Sequence, residues 1–315
     1  MPKLRPWILM MLAVGHGIGT QTTEGAKPEV HFDQERGKIR ISIGGEPFGT
    51  YVYRDPLIPR PYFVDVHAPG GIRATRNHPP IAGKDLTDHD RLHPGIWVAF
   101  GDLDGGDFWR NKARIEHVDF LDVPRGHVGK GGFAVKNRYV DGDRTVCEES
   151  VRYSIVTCSE GWLLTIASEF LSEDHDFAFG DQEEMGLGIR VATPISVKQG
   201  GKILNSDGLV NEAQAWGKQA DWCLYGGNVE TRVEVGFLSI VLMPDPRNVR
   251  RSWFHARDYG FIAANPFGQN AFTKGEKSRI VVRKGEVFKL IRRFPSRDEE
   301  RSAGRRGEST SGLLA

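Results

Sequence analysis

The chain has 315 residues, with 42 Lys and Arg against 41 Asp and Glu and a formal net charge of +1. That balance removes the broad electrostatic reason to bind nucleic acid or an anionic membrane surface, and the 3 Cys cannot build a disulfide scaffold. An excess of Gly (38) and Pro (17) together with a polar mean hydropathy leaves a turn-rich globular chain and excludes a multi-span membrane protein.

The first segment in chain order reads as an address. Lys3 and Arg5 precede an apolar run over residues 7–14, which fades into a Gly-rich stretch and then small and polar residues over 20–26. Basic, then apolar, then small is the order of a secretory signal peptide. The run is too short for a membrane span of ~20 residues. Residues 1–26 are therefore expected to be a leader and the protein to be secreted or periplasmic. Cys147, Cys158 and Cys223 could form at most one bridge there, and buried thiols are expected for all three.

The rest of the chain reads as β. Residues 38–43 alternate polar and apolar with period two. Segments 50–53, 95–100, 144–146, 150–156, 162–170, 188–192, 235–242, 279–282 and 287–290 are rich in β-branched and aromatic residues and are cut by Gly, Pro, Asn and Asp. These are the marks of short strands. No segment keeps a helical apolar period over three turns, and only residues 212–223 leave room for a short helix. Many short strands without intervening helices predict an all-β sandwich or barrel. One domain is expected over residues 27–295, followed by a disordered tail over 296–315.

Chemistry-bearing residues gather in four clusters, at 73–80, 88–112, 180–186 and 253–268. His89 and His93 stand four apart, which puts two imidazoles on one face of a helical turn. Such a pair suits proton transfer or substrate binding, because histidine titrates near neutral pH. It also suits a metal whose third ligand would be His255, Asp88 or Glu184, or simply two loop histidines satisfied by backbone carbonyls. Glu183 and Glu184, if extended, point to opposite sides, so that one carboxylate faces a pocket as base or nucleophile. His255, Arg257 and Tyr259 alternate and would share one strand face. Trp97, Trp109, Trp162, Trp216, Trp222 and Trp253 lie mostly beside Asp, Arg, His or Gly-rich turns. Indoles stack on the C–H faces of sugars while carboxylates, Arg and Asn take the hydroxyls, so the mixture fits a sugar site.

Several stretches together resemble the PmoA-like family of bacterial proteins. They are Asp88-His89-x-x-x-His93-Pro94-Gly95-Ile96-Trp97-x-Ala99-Phe100-Gly101-Asp102, then Asp107-Phe108-Trp109-Arg110-Asn111-Lys112, then Gly180-Asp181-Gln182-Glu183-Glu184. Trp216-Gly217-Lys218-x-x-Asp221-Trp222 and His255-x-Arg257-Asp258-Tyr259-Gly260 through Ala263-Ala264-Asn265-Pro266-Phe267-Gly268 complete the set, so the resemblance spans about Gly45 to Phe294. The family carries the label "methane oxygenase PmoA". That is a name here and not an activity, since a membrane methane oxygenase subunit needs several long apolar spans and this sequence has none.

The resemblance implies a family common in bacteria that degrade complex glycans, with a fold similar to the large antiparallel sandwich (supersandwich) of galactose mutarotase. In those enzymes a His and a carboxylate on a concave sheet handle protons at the sugar. His89 or His93 with Glu184 would be the counterparts. One common form of the family has Gly-Asp-Thr-Lys-Glu where this chain has Gly180 to Glu184, and two adjacent His where this chain has Leu92-His93. Glu184 and His93 match that form and Glu183 does not.

The expectation is an exported carbohydrate-active enzyme that hydrolyses, eliminates or epimerises at a sugar or glycoside. His89, His93, Glu184 and His255 would be catalytic. Arg76, Trp97, Trp109, Asp181, Trp222, Arg257, Tyr259 and Asn265 would bind a small-molecule or oligosaccharide ligand. No metal site, nucleic-acid partner or membrane span is expected, and no cofactor is identified. The alternatives are a non-catalytic glycan-binding protein and a metal-dependent oxidoreductase.

Overall fold

Period-two patterning becomes strand almost wherever it occurs. In Lys38–Ile43 the residues Ile39, Ile41 and Ile43 are all buried while their neighbours face outward. The computed structural model describes residues 27–159, 161–230 and 235–290, and the backbone alone of 11–15. Strands make up 53% of the structure, and the fold is an all-β sandwich of antiparallel sheets.

One sheet of nine strands runs, in spatial order, Lys218–Gln219, Trp253–Arg257, Phe261–Asn265, Met185–Arg190, Ile96–Phe100, Tyr62–Val64, Glu46–Val52, Lys38–Ile43 and Val30–Glu35. The second, also of nine, runs Lys202–Asn205, Cys223–Glu230, Val235–Leu242, Met11–Gly15, Gly161–Leu171, Arg144–Cys158, Lys130–Asp141 and Arg114–His127, with Phe288–Leu290 also paired to Gly161–Leu171. Between them lies one apolar core that reaches from Val30 to Leu290. Its centre is a knot of rings from both sheets, with Tyr51 5.0 Å from Phe63 and from Phe133, and 4.9 Å from Tyr153.

The centre of the first sheet is buried on its outer face as well. Every residue of Met185–Arg190 and of Phe261–Asn265 is buried, so these central strands read as continuous apolar runs rather than alternations. A second, smaller apolar cluster of Ile58, Tyr62, Val64, Trp97, Ala99, Trp109, Phe261 and Ala263 covers that outer face. The register aligns side chains across four strands. Trp97 opposes Gly188, Gly188 opposes Ala263, and Ala263 opposes His255. One step along, Arg190 opposes Phe261 and Phe261 opposes Arg257. Gly188 must be small, because a Cβ there would sit 2.7 Å from Trp97 and 2.8 Å from Trp109.

Three expectations change. The helix is confined to Asn211–Ala215, since Gly217 at φ +69° breaks it before the chain re-enters the sheet at Lys218. Segments 144–146 and 150–156 are one strand, Arg144–Cys158, and the long strands Arg114–His127 and Lys130–Asp141 join it. Cys147 and Cys223 are buried, whereas Cys158 is only half-buried. Of the expected leader, only Met11–Gly15 lies within the described residues, as a strand between Val235–Leu242 and Gly161–Leu171. The tail over 296–315 lies outside them. Among the described residues no helix is long and apolar enough to cross a membrane.

Candidate functional site

The loop that carries His89 and His93 is pinned from beneath by buried guanidiniums. Arg76 Nη1 donates to the carbonyls of Leu86 and Asp88, both at 2.7 Å, and its Nη2 donates to that of His93 at 3.3 Å. Arg60 donates to the carbonyls of Leu92 (2.5 Å) and Trp109 (2.6 Å) and to Asn111 Oδ1 (2.5 Å). A guanidinium offers five donors in a plane, so one buried side chain can satisfy several loop carbonyls at once.

Within that loop the amides of Leu92 and His93 both donate to the His89 carbonyl, forming one helical turn. His89 itself has φ +49°, an uncommon backbone state in which histidine is enriched. The turn stacks the two imidazoles, with centroids 4.8 Å apart and planes 13° from parallel. The stack continues from His93 to Phe261 at 4.6 Å and to Trp97 at 5.0 Å. His89 Nδ1 donates to Asp88 Oδ2 at 2.7 Å. Arg190 grips both Asp88 oxygens, at 2.9 and 2.8 Å, places Nη1 3.5 Å from His93 Nδ1 and lies 4.6 Å over the Tyr259 ring. Burial alone would raise the Asp88 carboxyl, but Arg190 and His89 hold it far below the usual range. Burial, reinforced by the Arg190 cation, lowers His93 as well, to well below the ordinary imidazole value, which keeps this base neutral.

The facing wall comes from Trp253–Arg257 and from the short helix. Arg257 Nε donates to His255 Nε2 at 3.0 Å, and Nη1 donates to Glu212 Oε1 at 2.8 Å. Glu212 Oε2 accepts the Asp258 amide at 2.9 Å, while Asp258 Oδ1 accepts the Glu212 amide at 2.8 Å. Burial, with the Arg257 cation, lowers His255 to about 3. Burial opposes ionisation of Glu212, yet the Asp258 amide and Arg257 keep its carboxyl below the usual value. A third wall is the ion pair of Arg110 with Glu184, supported by Asp107, which accepts from Arg110 at 3.2 Å. These walls enclose a cavity of about 340 Å³ lined by His89, His93, Trp109, Arg110, Glu184, Glu212, His255, Arg257, Tyr259 and Phe261, with Leu92 at the edge. A volume of that order is suited to a small organic ligand.

A family model matches residues 38–306, which include every residue of that cavity. The chain belongs to DUF6807, a family of unknown function. No curated protein and no solved structure matches it.

In this DUF6807 chain seven of the twelve residues expected at the site do line one cavity: His89, His93, Trp109, Glu184, His255, Arg257 and Tyr259. The other five are placed elsewhere. Arg76 is the buried loop staple just described, and Trp97 lies under His93 with 1% of its surface exposed. Asp181 accepts the amides of Asn270, Ala271 and Ser278, which caps the short helix Gln269–Thr273. Asn265 is buried; its Nδ2 donates to the carbonyls of Gln182 and Glu183, and its Oδ1 accepts the amides of Phe267 and Gly268. It thereby fixes the bend that presents Glu184. Trp222 sits between Lys218–Gln219 and Cys223–Glu230 and is not among the lining residues.

Glu183 and Glu184 lie in a bend rather than a strand, so both carboxylates reach the same region. Glu183 Oε2 is 3.6 Å from Arg257 Nη2 and 3.8 Å from His255 Nε2. Arg110, Arg190, Glu212 and Phe261 are residues that sequence reasoning missed. Arg110 was in view within the 107–112 motif; Arg190 was hidden in an apolar strand and Glu212 in a segment read as a helix.

Several atoms that could bind a metal already have partners. His93 Nδ1 and His255 Nε2 accept from guanidiniums, and both Asp88 oxygens are taken by Arg190. Among the described residues no group of three His, Cys, Asp or Glu is arranged to hold an ion.

Proposed function

We propose that this DUF6807 protein is an enzyme that moves protons on a sugar or glycoside held in the 340 Å³ cavity. The observation that carries the reading is the gathering of three imidazoles, two Arg–Glu pairs and three aromatic rings around one small space. Arg110 is paired with Glu184 and Arg257 with Glu212, so the lining charges cancel. Each pair still offers donors and acceptors side by side, which suits hydroxyl groups. Trp109, Tyr259 and Phe261 supply apolar surface for the C–H faces.

His89, about half exposed and held by Asp88, is placed to take a proton from a substrate C–H or O–H or from water. Returning it to the leaving oxygen completes a hydrolysis or an elimination, whereas an epimerisation is completed by a proton from water on the opposite face of the carbon while His89 gives its own proton to solvent. Glu184 acts as the neighbouring carboxylate. The resemblance to PmoA-like proteins and to the galactose mutarotase sandwich belongs to this reading, and two large antiparallel sheets are compatible with it. Export belongs to it as well, on the basic-apolar-small order of residues 1–26.

The test is turnover and binding on a panel of monosaccharides, oligosaccharides and glycosides, run in D2O so that deuterium entering at carbon marks epimerisation and an unsaturated product marks elimination. His89→Ala and Glu184→Gln should remove turnover. Binding without turnover, unchanged in His93→Ala, would replace the enzyme with a glycan-binding protein. Failure of every sugar to bind would sink both readings.

A further inference from the structure

The stacked histidines His89 and His93 meet partners of opposite character. An ionised carboxylate only accepts, and Asp88 is kept ionised by the two-pronged grip of Arg190 at 2.8 and 2.9 Å. The proton on neutral His89 therefore lies on Nδ1, the atom 2.7 Å from Asp88, and Nε2 carries the open lone pair. A guanidinium only donates, and Arg190 Nη1 stands 3.5 Å from His93 Nδ1. On His93 the lone pair is therefore on Nδ1 and the proton on Nε2. Arg190 is 1% exposed, and its carbon lies 4.6 Å over the Tyr259 ring, so the fork that touches Asp88 and His93 has little room to turn.

We propose that Arg190 is a positioning residue that sets opposite tautomers in His89 and His93, making the stacked pair a base beside a fixed hydrogen-bond donor. The division of labour rests on the proton-transfer reading above. His89 Nε2 takes the proton and becomes the imidazolium, with its charge balanced by Asp88. The Nε2–H of His93 keeps its proton and donates a hydrogen bond to the oxygen on which negative charge grows. Arg60, Arg76 and Arg190 all stand against a second charge on His93, which suits a group that donates without titrating. A pair of identical residues four apart in sequence thus acquires two different roles from one buried cation.

The experiment is 15N NMR of histidine-labelled full-length protein at neutral pH without ligand, which reports the protonated nitrogen of each ring. The expected wild-type pattern is Nδ1–H on His89 and Nε2–H on His93. In Arg190→Met, His93 should lose its single tautomer and show both. In Asp88→Asn, which can donate to His89 Nδ1, His89 should change while His93 stays as it was. The same tautomer on both wild-type rings would overturn the proposal. So would an unchanged pattern in whichever of the two variants folds. The readout needs no substrate: the expected tautomers in a protein that turns over no sugar would end the proposed function and leave this inference standing.

Discussion

On the outer face of the sheet that contains Gly161–Leu171, a cavity of about 580 Å³ is floored by Ala134, Ser150 and Ala167 and walled by Arg152, Glu169 and Lys289. It is larger than the cavity of about 340 Å³ on the other sheet, and it is also charged. Its ions are held differently. Arg152 pairs with Asp122, and Lys289 with Glu169, with all four side chains 43–53% exposed. Around the smaller cavity the lining ion pairs are 27–33% exposed, and the groups that brace them, Arg76, Arg190, His93 and His255, are each 5% exposed or less. An ion pair in water contributes about 0–1 kcal/mol and fixes little. A desolvated group with a fixed partner has a displaced pKa and a defined proton, which is what chemistry requires. Desolvated and oriented charge, rather than volume, is the ground on which the smaller cavity is proposed as the site.

Activity should separate the two cavities most strongly. His89→Ala or Glu184→Gln should cost about 10²–10⁴ in kcat, the usual worth of a proton-transfer group. Lys289→Met in the larger cavity should leave turnover as it is. The reverse result would move the site to the other sheet. Stability comes next. Arg76→Met strands several loop carbonyls and should cost roughly 3 kcal/mol in urea unfolding. Gly188→Ala should cost about 1–3 kcal/mol by overpacking, because the new methyl meets both Trp97 and Trp109.

A subtler contrast lies in pH. His255 is held neutral down to about 3, so between there and the ordinary value of 6.5 the unfolded chain binds more protons than the folded one. The site region therefore loses stability as pH falls below 6.5. Glu149, buried in the opposite sheet and fed by Ser168 (2.6 Å) and Asn137 (3.0 Å), is raised above 4.5, chiefly by burial. There the folded chain holds the extra proton, so that region loses stability as pH rises above 4.5. Urea midpoints across a pH series should show His255→Asn flattening the acid limb and Glu149→Gln flattening the opposite slope. A common effect of both variants would show that neither group is desolvated as described. The smallest effect is expected at the surface, where Lys289→Met should change stability by less than about 1 kcal/mol.

The two regions also differ in how far they were legible. His89 and His93, and His255 and Arg257, could be placed on shared faces because spacing four on a turn and spacing two on a strand survive folding unchanged, whereas Tyr259 lies past the end of the strand, in the turn that follows Arg257, and reaches the cavity from there. Arg76, Asp181 and Asn265 bond backbone groups instead of lining the cavity, and in sequence a polar residue that satisfies backbone groups has the same composition as one that meets a ligand. Only the count of amides and carbonyls around it separates the two. Arg190 was invisible for the opposite reason: inside a buried strand its charge is offset by Asp88, 102 positions away in sequence. On the other sheet, Arg114–His127 went unread as a strand because it lies at the edge, mostly exposed, with charged residues on both faces.

The ring stack has a practical consequence as an optical device. Trp97 and Trp109 are both sealed from solvent, at 1% exposure, yet their ring centroids lie 5.0 and 6.4 Å from that of His93, and His89 stands a further 4.8 Å out at the rim. Indole emission is quenched by a nearby imidazolium and shifts when the polarity around the ring changes. A compound that settles on His89, or a proton that arrives there, is thus two rings away from a buried fluorophore. Intrinsic fluorescence alone can screen ligands for this protein, without a label and before any reaction product is known.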